Sequence, residues 1–139
     1  RISMLIEAMV ALWKKGHSIP LVIAGARANY SVTIDKILQK LTQEQRANIR
    51  RINDFPEEEK VRLLDNCLVL VNPSSFEAFG IVFLEAWARG KPVIGSRIPA
   101  VREIIKDGVN GFLFDFKKKG DLIQNLYAGC WKLILMKKK

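Results

Sequence analysis

Histidine occurs once in this chain of 139 residues, as His17, and cysteine twice, as Cys67 and Cys130. These shortages exclude whole classes of chemistry. A Ser-His or Cys-His nucleophilic machine needs a base held beside the nucleophile, and His17, in a loop after Gly16, reads as a solvated residue without such a role. A multi-histidine metal site fails on the same count, and the two cysteines are far apart, at no metal or redox spacing. They read as reduced, buried thiols of a cytoplasmic protein. No apolar run approaches the length that spans a bilayer. The first apolar stretch, 2–13, carries Glu7 and no cleavage pattern, so no signal peptide is expected. Acidic side chains are also in deficit, 14 against 23 basic, for a net charge of +9 and a pI near 9.8. That balance suits nucleic acid, an anionic membrane surface or an anionic small molecule, and composition does not choose among them.

What is present is an alternation of helix and strand. Ile2, Leu5, Ile6, Met9, Val10 and Trp13 recur at helical spacing, so the chain opens in an amphipathic helix that Lys14, Lys15 and Gly16 end. Residues 20–24 (PLVIA) read as a buried strand broken by Gly25. Residues 30–41 read as a helix with Ile34, Ile37, Leu38 and Leu41 on one face, capped by Ser31 or Thr33. A strand over 48–55 rests on Ile49 and Ile52. Pro56 followed by Glu57, Glu58 and Glu59 starts a helix, with proline in the first turn and acids at the positive end of the dipole; it runs to about Asn66. A short helix over 100–106, a turn at 108–111 and a strand over 112–114 complete the pattern. Leu122, Ile123, Leu126, Tyr127, Trp131, Leu133, Ile134 and Leu135 could form a final helix, weakened at Gly129. With no repeat and no linker, one domain over 1–139 is expected: α/β, a doubly wound parallel sheet of about five strands, Rossmann-like.

The rest is organised around residues 68–95, LVLVNPSSFEAFGIVFLEAWARGKPVIG. Leu68 to Val71 read as a buried parallel strand that Asn72, Pro73, Ser74 and Ser75 stop. A helix from Gly80 to Arg89 ends at Gly90, and Val93 to Gly95 form the next strand: one parallel βαβ unit. Two glutamates are out of character. Glu77 lies in the loop, and Glu85 lies one turn into a helix that is apolar on nearly every side, so that helix should be mostly buried and its carboxylate should have hydrogen-bond donors. Gly80 sits where a helix start can admit a phosphate close to its backbone amides. A loop carboxylate, bare amides and a second carboxylate at the carboxyl end of a strand make a pocket where open α/β sheets bind ligands.

The run from Ser74 to Ile94, with seven residues between Glu77 and Glu85, Phe79-Gly80 among them and Gly90-Lys91-Pro92-Val93 after, resembles the E-x7-E signature of the retaining, nucleotide-sugar-dependent glycosyltransferases of family 4, which have the two-domain B-type fold. The similarity continues through Glu103 and the stretch from Asp107 to Phe112. It implies the carboxy-terminal, donor-binding half of an enzyme of carbohydrate biosynthesis that transfers a hexose from a nucleoside diphosphate sugar to an acceptor with retention. Glu77 would be the catalytic-site carboxylate, binding hydroxyls of the transferred sugar near the reacting carbon. Glu85 would hold the ribose hydroxyls. Gly25, Ala78, Phe79, Gly80, Ile81 and Val82 would complete the donor site, with amides from Phe79 to Val82 meeting sugar and phosphate. No metal and no cofactor are expected, because the helix start and basic groups can take the phosphate charge and no Asp-x-Asp cluster is present.

Plainer readings stand beside these. Glu85 can be a structural carboxylate satisfied by backbone amides, Gly25 a strand terminator, Ser74 and Ser75 turn residues. The basic residues form no stripe with interleaved aromatics, so no nucleic-acid partner is expected. The chain also departs from the family: Arg27 stands where a second glycine is common, and Pro99-Ala100 replace a glycine pair before Glu103. The resemblance puts a central strand, the diphosphate-neutralising Arg and Lys, and an amino-terminal domain with most of the acceptor site ahead of Arg1. Without that strand, either 20–24 pairs directly with 68–71 or the sheet carries an unfilled slot. The expected location is the cytoplasm, where a basic surface could meet the inner face of a membrane. The rivals are a non-catalytic nucleotide-sugar-binding module and a basic nucleic-acid binder.

Overall fold

The computed structural model describes residues 1–26 and 31–128. Arg27 and the last part of the expected final helix, 129–135, lie outside these. The chain opens in helix α1 (Ile2–Lys14), whose buried face is Leu5, Ile6, Ala8, Met9 and Leu12. Strand β1 (Leu21–Gly25), helix α2 (Ser31–Gln39), a short helix α3 (Gln43–Ala47) and strand β2 (Ile49–Asn53) follow. Then come α4 (Glu57–Asn66), β3 (Leu70–Asn72), α5 (Ile81–Ala88), β4 (Val93–Ser96), α6 (Pro99–Ile104) and β5 (Phe112–Phe114). A last helical segment covers 121–128.

All pairing is parallel, as helix crossovers require. β1 pairs with β2 from Leu21↔Ile49 to Gly25↔Asn53. β3 pairs with β4 from Leu70↔Val93 to Asn72↔Gly95, and β4 with β5 from Ile94↔Phe112 to Ser96↔Phe114. The strands therefore form a two-stranded and a three-stranded sheet. Direct pairing of 20–24 with 68–71 is overturned: among the described residues no ladder joins β1 to β3. The physical reason lies in the flanking layer, where α1, β1 and β3 are already committed to one apolar cluster that does not need the ladder closed.

Two cores on opposite faces of the sheet make the arrangement doubly wound. One gathers α1, Leu21, Ile34, Ile94, Phe114, Leu122 and Leu126. The other gathers Leu64, Phe83, Ala86, Val93, Val101, Ile105 and Leu113 from α4, α5, α6 and the strands between them. Successive residues of β4 and β5 go to opposite cores, Val93 and Leu113 to one and Ile94 and Phe114 to the other, as the period of two demands. All of β4 is buried, the mark of a strand covered on both faces.

Three expectations need correction. The strand expected over 68–71 begins at Leu70, and Leu68 is exposed. Helix α3 breaks into what read as a connection; its signal is a capping box, with Thr42 accepting from the Gln45 amide at 3.2 Å and the Gln45 side chain accepting from the Thr42 amide at 3.1 Å. Helix α5, expected to be mostly buried, buries Phe83 and Ala86 but leaves Ile81 and Leu84 exposed at 61% and 53%. An eight-residue helix packed on a sheet has one covered side, whatever its composition.

Phe83 is fully buried, and its ring end would lie 3.0 Å from a methyl group placed on Gly95. Phe83→Ala should therefore destabilise the fold by about 3–5 kcal/mol, and Gly95→Ala, which adds a methyl where none fits, by about 1–3 kcal/mol. Both should appear as lower urea midpoints at unchanged slope.

Candidate functional site

The carboxyl end of β3 leads into a loop, 73–80, that is shaped by its own side chains. Asn72, the last residue of the strand, accepts from the Ser74 amide at 3.2 Å. Ser74 turns the chain by accepting from the Phe76 amide at 3.2 Å and donating its hydroxyl to the Phe76 carbonyl. Glu77 then gathers the loop. Its Oε1 accepts from the backbone amides of Ala78 and Gly80, both at 3.1 Å, and its Oε2 accepts from Asn72 Nδ2 at 3.0 Å. A carboxylate serves this role because it is acceptor-only and can take several donors at once.

Gly80 ends the loop as the residue before α5, at φ +62°. A methyl there would meet Ile104 Cδ1 at 2.8 Å and Phe83 Cδ2 at 2.9 Å, so both conformation and space require glycine. The first amides of α5 carry no side-chain cap. Such a helix start has donors to offer an anion.

Glu85, at the fifth position of α5, is half-buried. It receives Lys60 Nζ of α4 on Oε1 at 2.7 Å, and the same ammonium reaches Glu57 at 2.7 Å. Hydrogen bonds to Glu57, first, and to Glu85 push Lys60 above the usual lysine range. The expected donor for Glu85 is thus present, but it is a lysine from the neighbouring helix rather than backbone.

A cavity of about 520 Å³ opens at the carboxyl ends of β1, β2 and β3. Its walls include Ala24 and Gly25 of β1, Asn53 of β2, Asn72 to Ser75, the start of α2 at Ser31 and Thr33, and the start of α1. The volume falls within the range of small-molecule sites. Gly25 is in this wall; Glu77 and Glu85 are not, and neither are Ala78, Phe79, Gly80, Ile81 or Val82. Phe79 and Ile81 project to the surface at 77% and 61% exposure. The link between cavity and loop is Asn72, which lines the one and holds Glu77 of the other. The two glutamates share no partner: Glu77 is bound to its own loop, Glu85 to α4.

Residues that the sequence reading passed over include Asn72, Asn53 and Lys60. Asn72 was legible only as a strand-ending polar residue; Lys60 carried the faint signal of standing three positions after Glu57. A second hollow, about 380 Å³, lies beside Arg97, Asp107, Asp115 and Asp121. Its acids are used structurally: Asp107 pairs with Arg97 and takes the Leu113 amide, and Asp121 takes the Asp115 amide. Cys67 Sγ donates to the Leu64 carbonyl, and burial, its largest influence, pushes the thiol above its ordinary range, away from nucleophilic use.

Comparison with known proteins adds the following. A family model described as glycosyl transferases group 1 matches residues 1–127. The chain is 32% identical over 116 residues to a D-inositol 3-phosphate glycosyltransferase of Corynebacterium urealyticum, covering 80% of this chain and 27% of that protein. Among solved structures, TarM superposes with a TM-score of 0.81 at 23% identity, over 97% of this chain and 26% of TarM. The Anabaena protein Alr3699/HepE, crystallised with UDP, superposes with a TM-score of 0.72 at 23% identity, over 93% of this chain and 35% of its own. The chain spans about a third or less of the length of these proteins.

If Glu77 is what shapes the loop, Glu77→Ala should speed hydrogen exchange at the Ala78 and Gly80 amides by about ten- to a hundredfold. Unchanged exchange at both would show that the loop holds without it.

Proposed function

The chain belongs to the group 1 glycosyl transferases, and from that premise we infer that it is the part of such an enzyme that binds a nucleoside diphosphate sugar at the carboxyl end of its sheet. The observation that carries the reading is Asn72. It lines the 520 Å³ cavity and at the same time holds Glu77, so the hollow and the glutamate loop are one construction. That edge of a parallel sheet is where α/β folds take ligands.

In this reading, Glu85 meets the ribose hydroxyls and Glu77 meets hydroxyls of the transferred sugar. Gly25, Ala78 and the amides from Phe79 to Val82 border the donor. The bond from the anomeric carbon to the diphosphate oxygen breaks, a bond to an acceptor hydroxyl oxygen forms on the same face, and the hydroxyl proton passes to the departing diphosphate. Helix-start amides and basic groups offset the charge that develops on the departing diphosphate, an electrostatic form of catalysis that asks for no metal. The acceptor would be held mainly by an amino-terminal domain, and a strand from the segment ahead of Arg1 would fill the gap between β1 and β3. Two observations support that last step: among the described residues no ladder joins β1 to β3, and both contribute to the same apolar cluster. No described helix is long and apolar enough to cross a membrane; a cytoplasmic enzyme whose net charge of +9 lets it work at an anionic membrane face is the location proposed.

Titrating the full chain with UDP, GDP and ADP by calorimetry tests this. One of the three should bind, and Glu85→Ala should weaken it by about tenfold or more, ~1.4 kcal/mol. Silence with all three nucleotides, together with RNA binding that falls steeply with salt, would transfer the case to the nucleic-acid reading.

A further inference from the structure

Glu85 is bonded through one oxygen. Lys60 donates to Oε1, and among the described residues no hydrogen bond reaches Oε2. Lys60 is the fourth residue of α4 and Glu85 the fifth of α5. α4 follows β2 and α5 follows β3, strands whose last residues, Asn53 and Asn72, border the cavity at their carboxyl edge, so the pair lies on two helices that begin near that edge. A second bridge between the same helices, Arg89 to Asp65 at 2.7 Å, lies about a turn farther from that edge, and Lys91 adds a bond to the Asp65 carbonyl at 2.7 Å. The helices are therefore tied together without Lys60, and its contact with Glu85 is not needed to hold them.

We propose that Lys60 is a positioning residue for donor binding: by holding Oε1, it keeps the Glu85 carboxylate fixed, with Oε2 left to accept from a ribose hydroxyl. This rests on Glu85 being the ribose ligand, as proposed above. The division of Lys60 between two carboxylates fits that role. Glu57 is 70% exposed and is served by water, whereas the Glu85 side chain is 29% exposed and depends on its partner. Among the described residues the ion-pair partner of Glu85 is Lys60, which Glu57 shares; Arg89, one turn along α5, is engaged by Asp65. Lys60→Met removes that partner, so the carboxylate loses its fixed orientation and its hold on the ribose hydroxyls should weaken.

The experiment is calorimetric titration of the full chain with UDP, GDP, ADP and the 2′,3′-dideoxy form of whichever binds. Four proteins are compared: the chain itself, Lys60→Met, Lys60→Arg and Glu85→Gln. Lys60→Met should bind about tenfold more weakly, with most of its preference for the ribose form lost. Lys60→Arg, which keeps the cation, should stay within about threefold of the chain. Should Lys60→Met prove unfolded by circular dichroism, Lys60→Gln replaces it. Equal weakening toward ribose and dideoxy nucleotides would mean that Lys60 acts only as charge toward phosphate, and overturns the proposal. Wild-type affinity and ribose preference in Lys60→Met, while Glu85→Gln loses the ribose preference, overturns the role of Lys60 and leaves the function standing. No effect of Glu85→Gln, or no nucleotide bound at all, removes the function and this inference together.

Discussion

One carboxylate, that of Glu77, decides the shape of the segment on which the site depends. It accepts two backbone amides and one side-chain amide within nine residues of chain, from Asn72 to Gly80. Without such an acceptor those N–H groups would turn to water and the loop would have no reason to choose one path. With it, the end of β3 is tied to the start of α5, and Gly80 is brought against Phe83 and Ile104 so closely that no side chain fits. The placement of α5, and therefore of Glu85, follows from that packing. A polar clamp at the surface and an apolar contact beneath it act on the same glycine from two sides.

The sheet beneath is built unevenly. β4, covered on both faces, is the center of the three-stranded part, and its residues alternate between the two cores. β1 has no such cover: Val22 is 42% exposed, although the strand reads as wholly apolar. The two-stranded part is attached through side chains of α1 and the neighbouring cluster, not through a ladder to β3. A ladder would fix the separation of β1 and β3 at one strand spacing. Side-chain packing does not, and the cavity occupies the opening at the carboxyl end of that unladdered join.

What the sequence disclosed and what it withheld divide along local and tertiary lines. Apolar runs and breakers placed all five strands to within about two residues, and the strand at Phe112–Phe114 with both ends correct. These depend on neighbours in the chain. Helix α3 was missed because it consists of four polar residues and one alanine, with no apolar face to announce it. The pairing of β1 could not be read, since apolar composition says that a strand is buried but not against which other. The glutamates show the same limit. Their spacing and odd surroundings marked both as special, yet nothing in the string says that Glu77 spends its oxygens on its own loop, or that a lysine 25 positions earlier completes Glu85. Partners brought by packing leave no mark in spacing.

That difference in partners bears on what each glutamate can do. Glu77 is held by donors that belong to the backbone and to the end of a strand, so its oxygens have little freedom to move. Glu85 is held by a single ammonium on a flexible stem, shared with a second carboxylate. Such a partner can follow a shift of the carboxylate by a few tenths of an ångström, since lysine is a point charge with rotatable donors rather than a planar fork. On the proposed reading, the group beside the reacting carbon is the rigid one, where misplacement by an ångström is costly. The group at the nucleotide end is the adjustable one, where tight geometry matters less than charge. Two identical side chains with seven residues between them thus come to different duties through the donors each is given.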